Sequence, residues 1–124
     1  MNIEDLNWSK WKPFPDPSKS SERFSSLMMK KVRNPLYPGL YQLKNIKTNE
    51  YVLFGIAKEI SKRMSSLIPN RCGGVGTRNN QMKREYVWNN IDVIEFRTIT
   101  TETRQDAQQI ERYVKSLNIH IFNT

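Results

Sequence analysis

The sequence predicts an α/β fold of the α+β kind: a small sandwich in which a three-stranded, mainly antiparallel sheet is flanked by helices. Three observations carry this reading. Two apolar runs, "GLYQLKN" at 39–45 and "YVLFG" at 51–55, stand on either side of a short polar stretch, which is the pattern of a β-hairpin. The hydrophobic period then turns helical, with Ile56, Ile60, Met64 and Leu67 on one stripe that Pro69 ends. A further alternating run, "DVIEFRTI", lies between two helical stretches, so the order β-β-α-(α)-β-α closes a layered α/β unit.

Residues 1–37 read as an arm preceding a compact domain at 38–124. Pro13, Pro15, Pro17 and Pro35 interrupt the arm and Pro38 ends it. Each removes a backbone donor and turns its predecessor away from helix. Within the arm, "SKSSERFSSLMMKKV" predicts one helix started by a serine cap, with Phe24, Leu27, Met28 and Lys31 on one face. Trp8, Trp11 and Phe14 are too apolar for an idle tail. The arm is expected to pack across the domain or to bind a partner, either a second copy or another protein.

In the first strand Leu40, Gln42 and Lys44 alternate with Tyr41 and Leu43, and Thr48 and Asn49 supply the turn. The unbroken apolar character of "YVLFG" predicts a central strand buried on both faces. "NRCGGVGT" reads as a glycine-rich loop, and "RNNQMKREYVWNN" as a helix with Met82, Tyr86 and Val87 facing inward. The third strand has Ile94, Phe96 and Thr98 on one face. The best helix is "TETRQDAQQIERYVKSL": Thr103 and Asp106 form a capping pair, and Ala107, Ile110, Val114 and Leu117 make the stripe. The closing "NIHIFNT" is expected to tuck against the sheet.

Composition narrows the function. No apolar run approaches the roughly 20 residues of a membrane span, and the polar start has no apolar core of a secretory signal. Cys72 is the only cysteine, which excludes an intramolecular disulfide and points to a reducing, cytoplasmic setting. There is no Cys/His cluster for zinc, and His120 stands alone. The net charge of +8 favours a polyanionic partner. From Lys58 to Glu85 the chain holds Lys58, Lys62, Arg63, Arg71, Arg78, Lys83 and Arg84 against Glu59 and Glu85. The "CGGVGTR" run lacks the Gly-Lys-Ser/Thr end of a phosphate loop and follows no strand. Arg78, Asn80, Lys83 and Arg84 beside it are donors of the type that grips a nucleic-acid backbone.

Two charges sit at the edges of apolar stripes. Arg63 lies three residues after Ile60 and four before Leu67, and Glu111 lies four after Ala107 and three before Val114. Spacing alone leaves each with two fates. Arg63 snorkels from the core edge or binds a phosphate with its two-pronged donor. Glu111 pairs with Lys115 one turn on or serves a magnesium ion that is otherwise held by water and phosphate.

The ordered set Gly39-Leu40-Tyr41, Leu53-Phe54-Gly55, Arg63 and Glu111 resembles the motifs of the GIY-YIG nuclease superfamily, with Asn123 in "IFNT" a looser match to a terminal asparagine. The resemblance spans residues 38–124 and leaves the arm unexplained. It implies a metal-dependent DNA endonuclease that hydrolyses phosphodiester bonds. By the same resemblance Tyr41 is the general base, Arg63 the phosphate clamp, and Glu111 the ligand of one Mg²⁺ or Mn²⁺. Asn123 orients the glutamate or a phosphate, and Lys58 and Lys62 add backbone affinity. A tyrosine base, with a free pKa of about 10, needs cations or a metal nearby.

The departures are specific. Leu53 stands where the second motif has tyrosine, and Leu67 stands where many members have histidine. The hairpin is also slightly longer than the common family form. Tyr51, two residues before Leu53 and expected on the same strand face, is the candidate substitute. The alternative expectation is a catalytically weak or inactive GIY-YIG-like module that binds nucleic acid or protein.

Overall fold

A computed structural model describes residues 2–32, 34, 36–74 and 81–123. The chain runs β1 (Lys12–Pro13), α1 (Phe24–Lys31), β2 (Gly39–Asn45), β3 (Glu50–Ala57), α2 (Ile60–Met64), α3 (Gln81–Asn89), β4 (Ile94–Thr100), α4 (Arg104–Leu117) and β5 (His120–Phe122). Short 3-10 turns punctuate it at Ile3–Asp5, Pro17–Lys19, Asn70–Cys72 and Ile91–Val93. The class is the expected mixed α/β, but the sheet has five strands, in the order β1-β4-β2-β3-β5, where the sequence predicts three. The two extra strands are edge pieces of two and three residues, too short for a period of two to register. Among the described residues no helix is long and apolar enough to cross a membrane.

The central strand is β2, not β3. It pairs antiparallel with β3 on one side and β4 on the other, through Tyr41↔Gly55 and Leu43↔Leu53, and through Tyr41↔Thr98 and Leu43↔Phe96. The turn between β2 and β3 is held by Asn45, whose Oδ1 accepts the N–H groups of Lys47 and Thr48 at 3.0 and 3.1 Å. Asn49 takes the left-handed conformation, φ 60°, which asparagine tolerates. The register shifts between Leu43 and Lys44, so that Lys44 faces Tyr51 and Val52 is the extra residue of a bulge. On the far side β3 meets β5 in parallel only at Tyr51↔His120 and Leu53↔Phe122. Among the described residues, no strand pairs on that side with its other half, through Ala57.

Each face of the sheet carries its own core. On one face Tyr41, Leu43, Leu53, Ile94 and Phe96 pack with Phe14, Phe24, Met28, Ile60 and Met64. On the other, Leu40, Phe54 and Ile99 pack with Ala107 and Val114 of α4, with Ile110 and Leu117 at the margin. This is the stripe the sequence predicts. The start of α4 is also as expected, because Thr103 Oγ1 accepts the Asp106 N–H at 3.2 Å.

The other helices are shorter than their periodic patterns. Ile56 stays in β3 and α2 begins at Ile60, because pairing with β2 continues to Ala57 and overrides the helical period. The serine cap is not formed: α1 starts after Arg23, which makes no side-chain cap bond, while Ser20 Oγ accepts the Glu22 N–H in the preceding turn. Met82 is 78 % exposed rather than inward, and α3 packs through Val87 and the half-buried Tyr86.

The N-terminal residues lie across the sheet. Ser9 donates its N–H to the Thr98 carbonyl at 2.8 Å and accepts the Thr98 N–H on its Oγ at 2.9 Å. Phe14 packs its ring 5.5 Å from Phe24 and 6.1 Å from Phe96. Arg97 anchors the rest. It is 4 % exposed, and its guanidinium lies 4.4 and 4.3 Å from the rings of Trp8 and Trp11. It donates to both carboxylate oxygens of Glu4 at 2.9 and 2.7 Å, and to Gln42 Oε1 at 2.7 Å. With its oxygen so engaged, Gln42 turns its amide nitrogen to His120 Nε2, at 2.9 Å. That ring nitrogen must therefore be an acceptor.

This network titrates in two windows. Burial pushes the His120 imidazole from its ordinary value of 6.5 down to about 4. Hydrogen bonding to Arg97 holds the Glu4 carboxyl down at about 2 against an ordinary 4.5. Both groups bind protons in the unfolded chain before they do in the fold, so both cost stability as pH falls. The His120 contribution is complete above pH 6.5 and is lost on the way to about pH 4. The Glu4 contribution is complete above 4.5 and is lost towards 2. Thermal melts in a pH series should show Tm falling from near pH 6.5, by an amount worth on the order of 2 kcal/mol for His120. His120→Gln should flatten the upper window and leave the lower one.

Gly39 supplies a second test. A Cβ there would overlap the Ile99 carbonyl oxygen, a backbone atom that cannot step aside. Gly39→Ala should destabilise by more than about 3 kcal/mol in urea unfolding.

Candidate functional site

The open half of β3 leaves a gap at the sheet edge. On one face of the sheet the gap is walled by α2 and α3, and on the other by α4. A cavity of about 330 Å³ fills it, lined by Tyr41, Gly55, Arg63, Ser66, Lys83, Arg84, Arg104, Gln108 and Glu111, with Leu53 and Leu67 among the apolar lining.

Tyr41 reaches the cavity because its cross-strand partner is a glycine. It is 2 % exposed, and its phenol lies over Gly55, where any Cβ would overlap the phenol oxygen. Close approach to the tyrosine is therefore what position 55 requires. The two arginines are fastened at Ser66. Arg63 directs Nη1 to Ser66 Oγ at 3.5 Å, and that hydroxyl donates to the Arg63 carbonyl at 2.6 Å. Arg84 donates Nε to the Ser66 carbonyl at 3.0 Å. Arg63 Nε and Arg84 Nη2 are buried and have no hydrogen-bond partner among the described residues. Lys83 lies close enough to feel the Arg63 charge; burial first, and that charge second, push its pKa down. The α4 wall presents Arg104, Gln108 and Glu111, spaced four and three residues apart and so on one side of the helix.

Tyr41, Arg63 and Glu111 thus meet in one cavity, and Lys83 and Arg84 join them. The remaining candidates lie elsewhere. Tyr51 is on the opposite sheet face, because the bulge at Val52 pairs it with Lys44 and resets the alternation. Its hydroxyl donates to Glu4 Oε2 at 2.6 Å, so it does not stand in for the tyrosine that Leu53 replaces. Asn123 does not line the cavity; its Nδ2 donates to the Lys115 carbonyl at 3.0 Å, fastening the chain after β5 to α4. Lys62 is exposed outside the lining. Lys58 borders a separate open depression with Glu59, Glu102 and Arg104. Arg78 and Asn80 lie outside the described residues.

Sequence reasoning missed Arg104 and Ser66. Arg104 precedes Glu111 by seven residues, two helical turns, and a helical wheel drawn from Glu111 finds it. Ser66 follows the end of a five-residue helix and carries no sequence signal.

The described lining residues hold four cations, Arg63, Lys83, Arg84 and Arg104, against one carboxylate, Glu111. Such a cavity suits an anion with several oxygens. Among the described residues no group of three His, Cys, Asp or Glu side chains is placed to hold a metal. The single carboxylate does fit a hard cation such as Mg²⁺ or Mn²⁺, whose other ligands are water and phosphate oxygens. It does not fit zinc, which takes three or four protein ligands. Compared with protein-family models, with curated proteins and with solved structures, the chain matches none of them.

Proposed function

We propose that this protein is a metal-dependent DNA endonuclease that hydrolyses phosphodiester bonds in the manner of the GIY-YIG nucleases it resembles. The observation that carries the reading is the meeting of Tyr41, Arg63 and Glu111 in one cationic cavity. Arg63 binds the non-bridging oxygens of the scissile phosphate and stabilises the charge that grows on them. Tyr41, in its phenolate form, accepts a proton from the attacking water. Glu111 would hold one Mg²⁺ or Mn²⁺, which when bound supplies Lewis-acid stabilisation of the phosphate and the leaving oxygen. Lys83, Arg84 and Arg104 neutralise the strand around the reacting group.

One observation favours a binding module instead. Leu53 is 1 % exposed and lines the cavity where the family's second tyrosine would stand. An aliphatic side chain there can neither orient water nor hydrogen-bond to the base.

Nicking of supercoiled plasmid with Mg²⁺ or Mn²⁺ separates the two. On the endonuclease reading the wild type nicks, Tyr41→Phe lowers the rate by about 10²–10⁴-fold, and Glu111→Ala loses the metal-dependent cleavage. A wild type that shifts the same DNA in a gel but never nicks it overturns the endonuclease reading and leaves a binding module. Gly55→Ala tests the seating of the base: moving the phenol by about 1 Å should cost on the order of 10²-fold in nicking, with DNA affinity unchanged.

A further inference from the structure

We infer that Arg84 is a second phosphate-binding residue, and that the cavity engages two neighbouring phosphates of one DNA strand, one at Arg63 and one at Arg84. This rests on the reading of the cavity as a phosphodiester site, and it goes beyond the family arrangement, in which a single motif arginine marks the scissile phosphate.

The first support is the way the two side chains are held. Both are tied to Ser66 through different atoms: Arg63 Nη1 reaches its hydroxyl, and Arg84 Nε reaches its carbonyl at 3.0 Å. One residue at the end of α2 thus fixes two guanidinium groups from two helices at neighbouring positions on the same wall. The second support is what the fastening leaves over. Arg63 Nε and Arg84 Nη2 are both buried without a partner among the described residues. An arginine cannot relieve an unpaired donor by losing its proton, so each side chain gains by turning towards an anion in the cavity it lines. The third support is charge. One phosphodiester carries one negative charge, whereas the described lining residues carry four positive charges and one negative. With a single phosphate bound, the described lining residues still carry a net positive charge. A second phosphate of the same strand supplies the missing anion without a new ligand.

Counterion release counts the phosphates. Binding of a fluorescent duplex is measured by anisotropy in EDTA, where no cleavage interferes, over a series of salt concentrations. For duplex DNA the slope of log K against log[salt] changes by about 0.9 for each phosphate neutralised. Arg63→Gln and Arg84→Gln should each lower the slope by about 0.9, and the double variant by about 1.8. Arg84→Gln alone should weaken binding about tenfold. Arg84→Lys keeps the charge and loses the fork, so it should hold the slope while weakening affinity; melting curves confirm that each variant folds.

A double variant whose slope falls by only about 0.9 puts both arginines on one phosphate and overturns the inference. An Arg84→Gln protein with wild-type affinity and slope overturns it too. In both cases the endonuclease reading stands. A wild type that binds no DNA at any salt concentration instead sinks that reading, and this inference with it.

Discussion

A guanidinium buried beneath one face of the sheet holds the molecule together. Arg97 projects from β4 with 4 % of its surface exposed, and arginine keeps its charge in any protein environment. Removing such an ion from water costs several kcal/mol unless its donors are met. They are met by residues that otherwise have no reason to assemble. Glu4 takes two N–H groups, Gln42 takes a third, and the rings of Trp8 and Trp11 lie against the guanidinium. Through Gln42 the requirement extends to His120 on β5, and through Glu4 it extends to Tyr51 on β3. This network, together with the Ser9–Thr98 bonds and the packing of Phe14, holds the proline-broken N-terminal segment. Its tryptophans complete the solvation of a charge rather than simply covering an apolar face.

The candidate cavity depends on that arrangement indirectly. β5 ends at Phe122 and covers only the start of β3, so the edge from Phe54 to Ala57 stays open. The bulge at Val52 sits at the boundary. Before it, β3 serves the Arg97 network through Tyr51; after it, Leu53 and Gly55 share the face of Tyr41. One inserted residue therefore separates the strand into a structural half and a half that borders the site. The bulge also explains why Tyr51, two positions from Leu53 in sequence, cannot supply a hydroxyl on Leu53's face.

Much of this was legible in the sequence wherever a pattern ran long enough to have a period. The α4 stripe from Ala107 to Leu117, the alternation in β2 and β4, and the hairpin between β2 and β3 all span seven residues or more. Features of one to three residues were not legible. β1 and β5 are too short to alternate, and the bulge is a single residue. The end of β3 was hidden because Ile56 fits a helical stripe as well as a strand, and only pairing with β2 decides between them. Arg97 was hidden for a different reason. An arginine between Phe96 and Thr98 in an alternating strand reads as solvent-facing, and only the distant Glu4, Trp8 and Trp11 reverse that. In the cavity, Tyr41, Arg63 and Glu111 are singled out by the resemblance of their order to the GIY-YIG motifs, and Lys83 and Arg84 by local charge. Arg104 lies two turns before Glu111 on the polar flank of α4, which the apolar stripe does not mark.

The charge balance of the cavity constrains how any catalysis there must proceed. Four cations line the same cavity as Glu111, so its net charge opposes the approach of a divalent ion. A phosphate group changes the sign of the problem. Phosphate oxygens at the Arg63 wall would compensate the cations, and Glu111 would then hold a hard ion, which draws its other ligands from oxygen donors. On the endonuclease reading the nucleic acid is then part of the metal site, and metal affinity and DNA affinity are linked. The same linkage makes the arginine wall useful to a binding module: without the carboxylate the cations still select a polyanion, and nothing in their arrangement requires a metal. Glu111 is therefore the residue on which the two readings divide, because only the endonuclease reading gives its carboxylate a cation to hold.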